Sequence, residues 1–312
     1  MYYRFAMKAL IVPALMLASV GCKEPDTVPP GQTIATLTNS GAVTWLGIAN
    51  GQLYVAQSGE NLSQSLTAID LKTHAVREIA GQLPGGSLAI RGSHVYVAGY
   101  AGEIGEVDLD SGAFERIALI PETISTVAVS TSAYVAAGQR LVKIDKGIAS
   151  DVPGTSLGGD IGELVVTSSA VFAASHLGKT IVKIADGKTT VVATDQMHPH
   201  HLTASADQLV WSVAVERIVG AKLVAMPLAG GDAKVIGEAQ APAQITAVTS
   251  DGKHIVCALG GYESKKAGLY AVENGQFRLL ARARAAHLAI GTGLVFWSEE
   301  HHPGVRIAAA EL

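Results

Sequence analysis

The sequence predicts an all-β fold, a closed ring of seven four-stranded antiparallel blades, on three observations. The first is a short strand core that returns seven times: LYVA at Leu53–Ala56, VYVA at Val95–Ala98, AYVA at Ala133–Ala136, VFAA at Val171–Ala174, LVWS at Leu209–Ser212, IVCA at Ile255–Ala258 and VFWS at Val295–Ser298. Its second residues, Tyr54, Tyr96, Tyr134, Phe172, Val210, Val256 and Phe296, are separated by 42, 38, 38, 38, 46 and 40 residues. A period of this size marks one supersecondary unit copied around an array. The second observation is that every segment of the unit reads as strand. The third is that the two ends of the chain supply complementary pieces of one blade. Together they define a seven-bladed β-propeller.

The unit can be followed strand by strand. A first apolar segment ends about six residues before the second residue of the core, as at Ser87–Ile90, Thr126–Val129, Glu163–Val166, His201–Ala204 and His287–Ile290. The core strand follows, then a third strand such as Leu66–Leu71, Ile104–Leu109, Leu141–Asp145, Ile181–Ala185 or Leu223–Leu228. Tight turns come next, Asp110-Ser111-Gly112, Asp186-Gly187 and Asn274-Gly275, whose Gly and Asn residues tolerate the positive φ that hairpins need. A fourth strand closes the unit, as in Val76–Ala80, Phe114–Leu119, Thr190–Thr194 and Phe277–Arg282. Helical repeats are excluded because no stretch of the mature chain holds a 3.6-residue apolar period for three turns. The inner strands read as nearly continuous apolar runs, as suits strands covered on both faces.

The seventh unit stops at Leu312 after three strands, while a strand-like segment, Gln32–Thr38, precedes the first unit. Pairing the two completes the last blade and covers two exposed edges. One domain, residues 32–312, therefore uses the whole mature chain.

Residues 1–21 read as a processing segment. Arg4 and Lys8 make a basic start, Ala9–Val20 is apolar, and Ala18-Ser-Val-Gly-Cys22 ends it. This resembles the bacterial lipoprotein signal, which implies lipidation of Cys22 as the first mature residue; Ser19 departs from the Leu most often found at its position. An ordinary secretory signal with a chance cysteine is the alternative, and the apolar run is short for a membrane-spanning helix. Lys23 stands where an inner-membrane retention signal would show Asp, so the expected address is the outer membrane, on its periplasmic side or at the cell surface. Residues 22–31, with Pro25, Pro29 and Pro30, read as an extended tether.

Composition narrows the partners. The chain has 23 basic and 27 acidic residues; without Arg4 and Lys8 the mature part carries 21 against 27, a net charge of −6 with histidine neutral. No Lys/Arg cluster appears, which argues against nucleic acid. Membrane association is expected through the lipid anchor alone, and the protein is expected to be a monomer. Cys257 lies in an apolar strand without a partner and reads as a structural thiol.

The chemistry-bearing residues fall on one face. Met197-His-Pro-His-His201 leads into an innermost strand, and propeller loops of that kind share a face with those following the core strand. His176 after VFAA, Glu299, Glu300, His301 and His302 after VFWS, and His287 map to the same face. The ligand-binding candidates are thus Glu163, His176, His198, His200, His201, His287, Glu299 and His301. Glu163, His201 and His287 occupy one repeat position in three blades, which predicts convergence on the central axis and a divalent-metal site, zinc or another transition ion over calcium. The alternative is that these are solvated loop histidines. Gly154-Thr-Ser-Leu-Gly158 matches the G-x-S-x-G nucleophile pattern but lacks a following helix, so it reads as a chance match. Asp70, Asp108 and Asp145 recur at third-strand ends and suit turn capping.

With its V-Y-V-A cores and the third-strand ends Ile69-Asp-Leu71 and Val107-Asp-Leu-Asp-Ser-Gly112, the blade pattern resembles the broad superfamily of NHL, YVTN and quinoprotein-like seven-bladed propellers. The resemblance covers residues 32–312 and rests on motifs generic to blades. Metal-assisted lyases and lactonases occur among similar propellers, with sites that gather His and Glu at the channel mouth. Fold does not transfer activity. The leading expectation is a lipid-anchored cell-envelope module that binds or scaffolds a protein or small ligand at the channel mouth. The alternatives are a metal-assisted lyase or hydrolase there, and a structural module of a larger envelope complex.

Overall fold

The computed structural model describes residues 31–38, 41–155, 157–214, 220–240, 242–260, 266–300 and 304–312. The expected leader, the expected lipidation site Cys22, the expected tether before Gly31, and the candidates His301 and His302 lie outside the described residues. Strand β1 (Gln32–Leu37) precedes the first blade. Blade 1 is β2 (Val43–Ala49), β3 (Gln52–Ser58), β4 (Ser63–Asp70) and β5 (Val76–Pro84). Blade 2 is β6 (Gly86–Arg91), β7 (His94–Gly99), β8 (Glu103–Asp108) and β9 (Phe114–Leu119). Blade 3 is β10 (Ile124–Val129), β11 (Ala133–Ala137), β12 (Arg140–Asp145) and β13 (Ile148–Asp151). Blade 4 is β14 (Ile161–Val166), β15 (Val171–Ser175), β16 (Thr180–Ala185) and β17 (Lys188–Ala193). Blade 5 is β18 (Pro199–Ala204), β19 (Gln208–Ala214), β20 (Ala221–Pro227) and β21 (Lys234–Ala239). Blade 6 is β22 (Gln244–Ser250), β23 (Ile255–Gly260), β24 (Gly268–Glu273) and β25 (Gln276–Ala281). Blade 7 holds β26 (Leu288–Gly291), β27 (Leu294–Glu300) and β28 (Val305–Glu311), with β1 as its fourth strand.

The chain is a seven-bladed β-propeller, and among the described residues there is no helix. Closure follows the expected route. β1 pairs antiparallel with β28, Gln32 opposite Ala309 and Leu37 opposite Val305. The innermost strands β2, β6, β10, β14, β18, β22 and β26 touch in sequence, and β26 returns to β2.

The hairpin chemistry is local. Two-residue loops at Asn50-Gly51, Lys146-Gly147, Asp186-Gly187 and Asn274-Gly275 place both residues at positive φ, from 50° to 79°. That backbone twist matches the right-handed twist of the flanking strands. Asp70 and Asp108 cap their turns, accepting from the N–H groups of Thr73 and Ser111 at 2.7 Å each. These bonds hold both carboxyls below the usual carboxylate range. Asp145 instead leads straight into the Lys146-Gly147 turn.

Packing runs between blades. Seven apolar clusters sit at the seven blade junctions; one joins Ile34 and Leu37 of β1 and Phe296 of blade 7 to Leu53 and Val55 of blade 1. Continuous burial falls on the second strand of each blade: all five residues of β15 are buried. The innermost strands are only partly buried, as in β14 and β18, because one of their faces looks into the channel. Trp211, Trp297, Phe172 and Phe296 are the largest fully buried side chains. Each such group contributes on the order of 2–3 kcal/mol by leaving water.

Candidate functional site

Side chains reach the mouth where the chain enters the innermost strands, and a repeated bulge aims them. Register slips by one residue between Val43 and Trp45, Ile124 and Thr126, Ile161 and Glu163, His200 and Thr203, and Ile245 and Ala247. A bulge of this kind leaves a residue unpaired and redirects its neighbours. In blade 5 it coincides with two non-glycine residues in the left-handed region, His198 at φ 47° and His201 at φ 53°. Histidine tolerates that region better than most residues, and such positions concentrate at functional sites.

Around the mouth, this level of the inner strands is stapled blade to blade. The Val127 N–H donates to Ser87 Oγ at 3.1 Å, and Ser125 Oγ donates to the Ile161 carbonyl at 2.6 Å. Thr246 Oγ1 donates to the Ala285 carbonyl at 2.9 Å. The Glu163 carboxyl accepts from the His201 N–H at 3.3 Å. The rings of His201 and His287 face the backbones of Ile245 and Val43, each in the next blade.

This explains a departure from the expected metal set. Glu163, His201 and His287 do share a repeat position, but they do not form the convergent group. The group that does is Glu163 of β14, His176 just after β15 and His200 of β18, whose ligating atoms all lie within 4.8 Å of one another. The bulge turns His200 toward Glu163, while His201 is directed toward blade 6. His287 lies one residue ahead of β26, not within the strand, and engages blade 1.

The histidine rings of the cluster are tightly juxtaposed. The centroids of His176 and His200 are 3.7 Å apart with their planes tilted by 44°, and those of His200 and His201 are 5.8 Å apart. Gly162 makes room for this: a Cβ there would stand 2.5 Å from His176 Cε1 and 2.7 Å from Nε2. His176 Nε2 is buried and has no hydrogen-bond partner among the described residues.

Burial dominates the electrostatics. It pushes the Glu163 carboxyl up to about 7, against the single N–H of His201. It pushes His176 down to about 4, with His200 and His198 adding like-charge repulsion. His200 is lowered by burial and by His198. His201 is also brought down to about 4 by burial, with the Ile245 backbone opposing. Near neutral pH the imidazoles are therefore neutral and have lone pairs to offer.

Of the remaining candidates, His198 is exposed at the edge of this cluster, close enough to act on His176 and His200. Glu299 forms an ion pair with Arg306 at 3.3 Å. It also lines, with His287, a cavity of about 1150 Å³ at the mouths of blades 6, 7 and 1. Arg284 and Thr246 line the same cavity and were not singled out by the repeat reading. Ser156 of the G-x-S-x-G match lies outside the described residues, and the next element is strand β14, not a helix. Cys257 is fully buried.

The architecture and the mouth face together define the class, a closed seven-bladed propeller with polar groups gathered at one end of its channel. Its fold is shared with virginiamycin B lyase from Staphylococcus aureus, 17% identical, TM-score 0.67, over 89% of this chain and 98% of that one. It is shared with oligogalacturonate lyase in complex with manganese, 12% identical, TM-score 0.63, over 84% of this chain and 86% of that one. It is shared also with BamB from Moraxella catarrhalis, 17% identical, TM-score 0.54, over 87% and 86%. Likeness at these identities is likeness of fold. No family model matches the sequence, and the search of curated proteins gave no match.

Proposed function

We propose that this protein is a lipid-anchored propeller of the cell envelope that binds an envelope protein or a small ligand on its channel-mouth face. The observation that carries the reading is the cavity of about 1150 Å³, lined by Arg284, His287 and Glu299 among small residues such as Ala42, Ala267 and Ala286. Its size slightly exceeds the roughly 300–1,000 Å³ usual for small-ligand pockets, and its wall divides about evenly between small apolar residues and polar groups that can fix a bound molecule's orientation. Fold neighbours include two lyases and BamB, and likeness of fold does not by itself choose a role.

The test places a photo-crosslinking residue at Ala267, on the cavity wall, and another at Val191, exposed on the outer strand of blade 4. Adducts in intact cells at Ala267 and not at Val191 support binding at the mouth, and their mass separates a protein partner from a small ligand. Adducts at Val191 alone, or at neither position, sink it. Anchoring is checked separately: labelled fatty acid should be incorporated by the wild type and lost in Cys22→Ala.

A second reading, a metal-assisted lyase or hydrolase at the same mouth, is favoured by the convergence of Glu163, His176 and His200. It stands or falls with metal uptake at that cluster.

A further inference from the structure

We propose that Glu163, His176 and His200 form a mononuclear site for a divalent transition ion of the zinc type, with coordination left open beyond these three ligands. The inference goes beyond the binding reading and stands without it.

The three ligands come from separate segments of two adjacent blades, so their meeting is a product of the tertiary fold, not of a local run of polar residues. Ligand atoms around a tetrahedral zinc, bonded at about 2.0–2.1 Å, lie roughly 3.4 Å from one another. Bringing atoms now within 4.8 Å to that spacing asks for side-chain movements on the order of an ångström, without backbone rearrangement.

Two independent features point to an occupant. His176 Nε2 is buried with no hydrogen-bond partner among the described residues, a situation that costs roughly 1–3 kcal/mol unless something satisfies it. A cation would do so. Gly162 keeps open the space that the His176 imidazole occupies, since any side chain there would collide with it at 2.5 Å.

Donor chemistry narrows the ion. Two imidazole nitrogens and one carboxylate oxygen suit zinc, iron(II), cobalt(II) and their neighbours; calcium favours all-oxygen sets, and soft ions favour thiolates. Cys257, fully buried in β23, is not among the three ligands. A set of three protein ligands matches metal sites that keep a position for water or substrate; closed structural sites use four.

The experiment uses purified protein stripped with a chelator. Zn²⁺ is titrated by calorimetry, and Co²⁺ is titrated while its visible absorption is followed. The expected result is one equivalent of either ion. His176→Ala and His200→Ala should each weaken binding by more than the 10–100-fold that loss of a mere outer-shell partner costs. Gly162→Ala, which keeps all three ligands, should weaken it as well. His287→Ala should bind as tightly as the wild type. If the alanine variants fold poorly, the isosteric Glu163→Gln carries the test, and it should lose or alter the Co²⁺ absorption. Absence of uptake by the wild type overturns the proposal. So does uptake indifferent to His176, His200 and Glu163, which would mean an adventitious ion only. So too does an equal loss in His287→Ala.

Discussion

Glu163→Gln should make the metal-free protein more stable at alkaline pH and leave it unchanged in acid. Burial raises this carboxyl from an ordinary 4.5 to about 7, so the folded protein binds the proton more tightly than the unfolded chain does. The stabilisation that comes from the protonated form is complete below pH 4.5 and is lost as pH rises through about 7. At 1.36 kcal/mol per pKa unit, the wild type forfeits about 3 kcal/mol between those limits. Glu163 is part-exposed, so solvent screening makes this an upper figure. Glutamine keeps the shape and can still accept from the His201 N–H, but it does not ionise. The assay is denaturant unfolding of both proteins in chelator at a series of pH values from 4 to 8. The advantage of the glutamine variant should grow with pH and level off above about 7. A flat difference, or one that grows toward acid, refutes the assignment of burial as the cause. Subtracting the wild type also removes the opposing terms from His176 and His201, both lowered to about 4, whose penalty appears as pH falls below 6.5.

Other outcomes can be checked alongside. Gln196→Ala removes the acceptor of the Trp211 indole N–H, bonded at 3.0 Å from a fully buried ring, and should cost about 1–3 kcal/mol with a change in tryptophan fluorescence. Leu37→Ala opens space at the junction of blades 7 and 1 and should cost about 2–5 kcal/mol in a denaturant melt. Val235→Ala, at a site 53% exposed, should stay within about 0.5 kcal/mol. The Cys257 thiol, fully buried and pushed up to about 12, should resist alkylation in the folded protein and react fully in denaturant. Native labelling at a rate comparable to a free thiol would contradict that burial.

The fold was legible because the second strand of each blade is covered on both faces, and a doubly covered strand writes itself as an uninterrupted apolar core, as Val171–Ser175 does. The fourth strand of blade 3 could not be read this way. Ile148–Asp151 is four residues long and exposed throughout, so no burial pattern marks it. At the mouth, counting residues placed Glu163 and His201 at equivalent positions, but counting does not see a bulge. The register slip between His200 and Thr203 decides which histidine joins Glu163. His176 was on the right face by topology, yet its tight fit depends on Gly162, fourteen residues away and separated from it by a strand pair. A glycine directly before an acid at a strand start was the available signal. Its meaning depended on a side chain from the neighbouring strand.

The closing pair of β1 and β28 also has a kinetic consequence. Arg306 donates to the Gly31 carbonyl across 275 positions of sequence, so the contacts that complete blade 7 are among the most non-local in the molecule. A chain emerging from its N-terminal end produces β1 first and its partner last. Until then Gln32–Leu37 has no ladder to join, and the growing arc ends in a bare edge. The entropy of closing so long a loop grows only with the logarithm of its length, so the final stability is little affected, but the rate of closure is. Gln32, Thr33 and Thr36 are the exposed residues of the waiting strand, while Ile34, Ala35 and Leu37 become buried. That polar half makes the unpaired segment a poor template for another chain during the interval before its partner arrives.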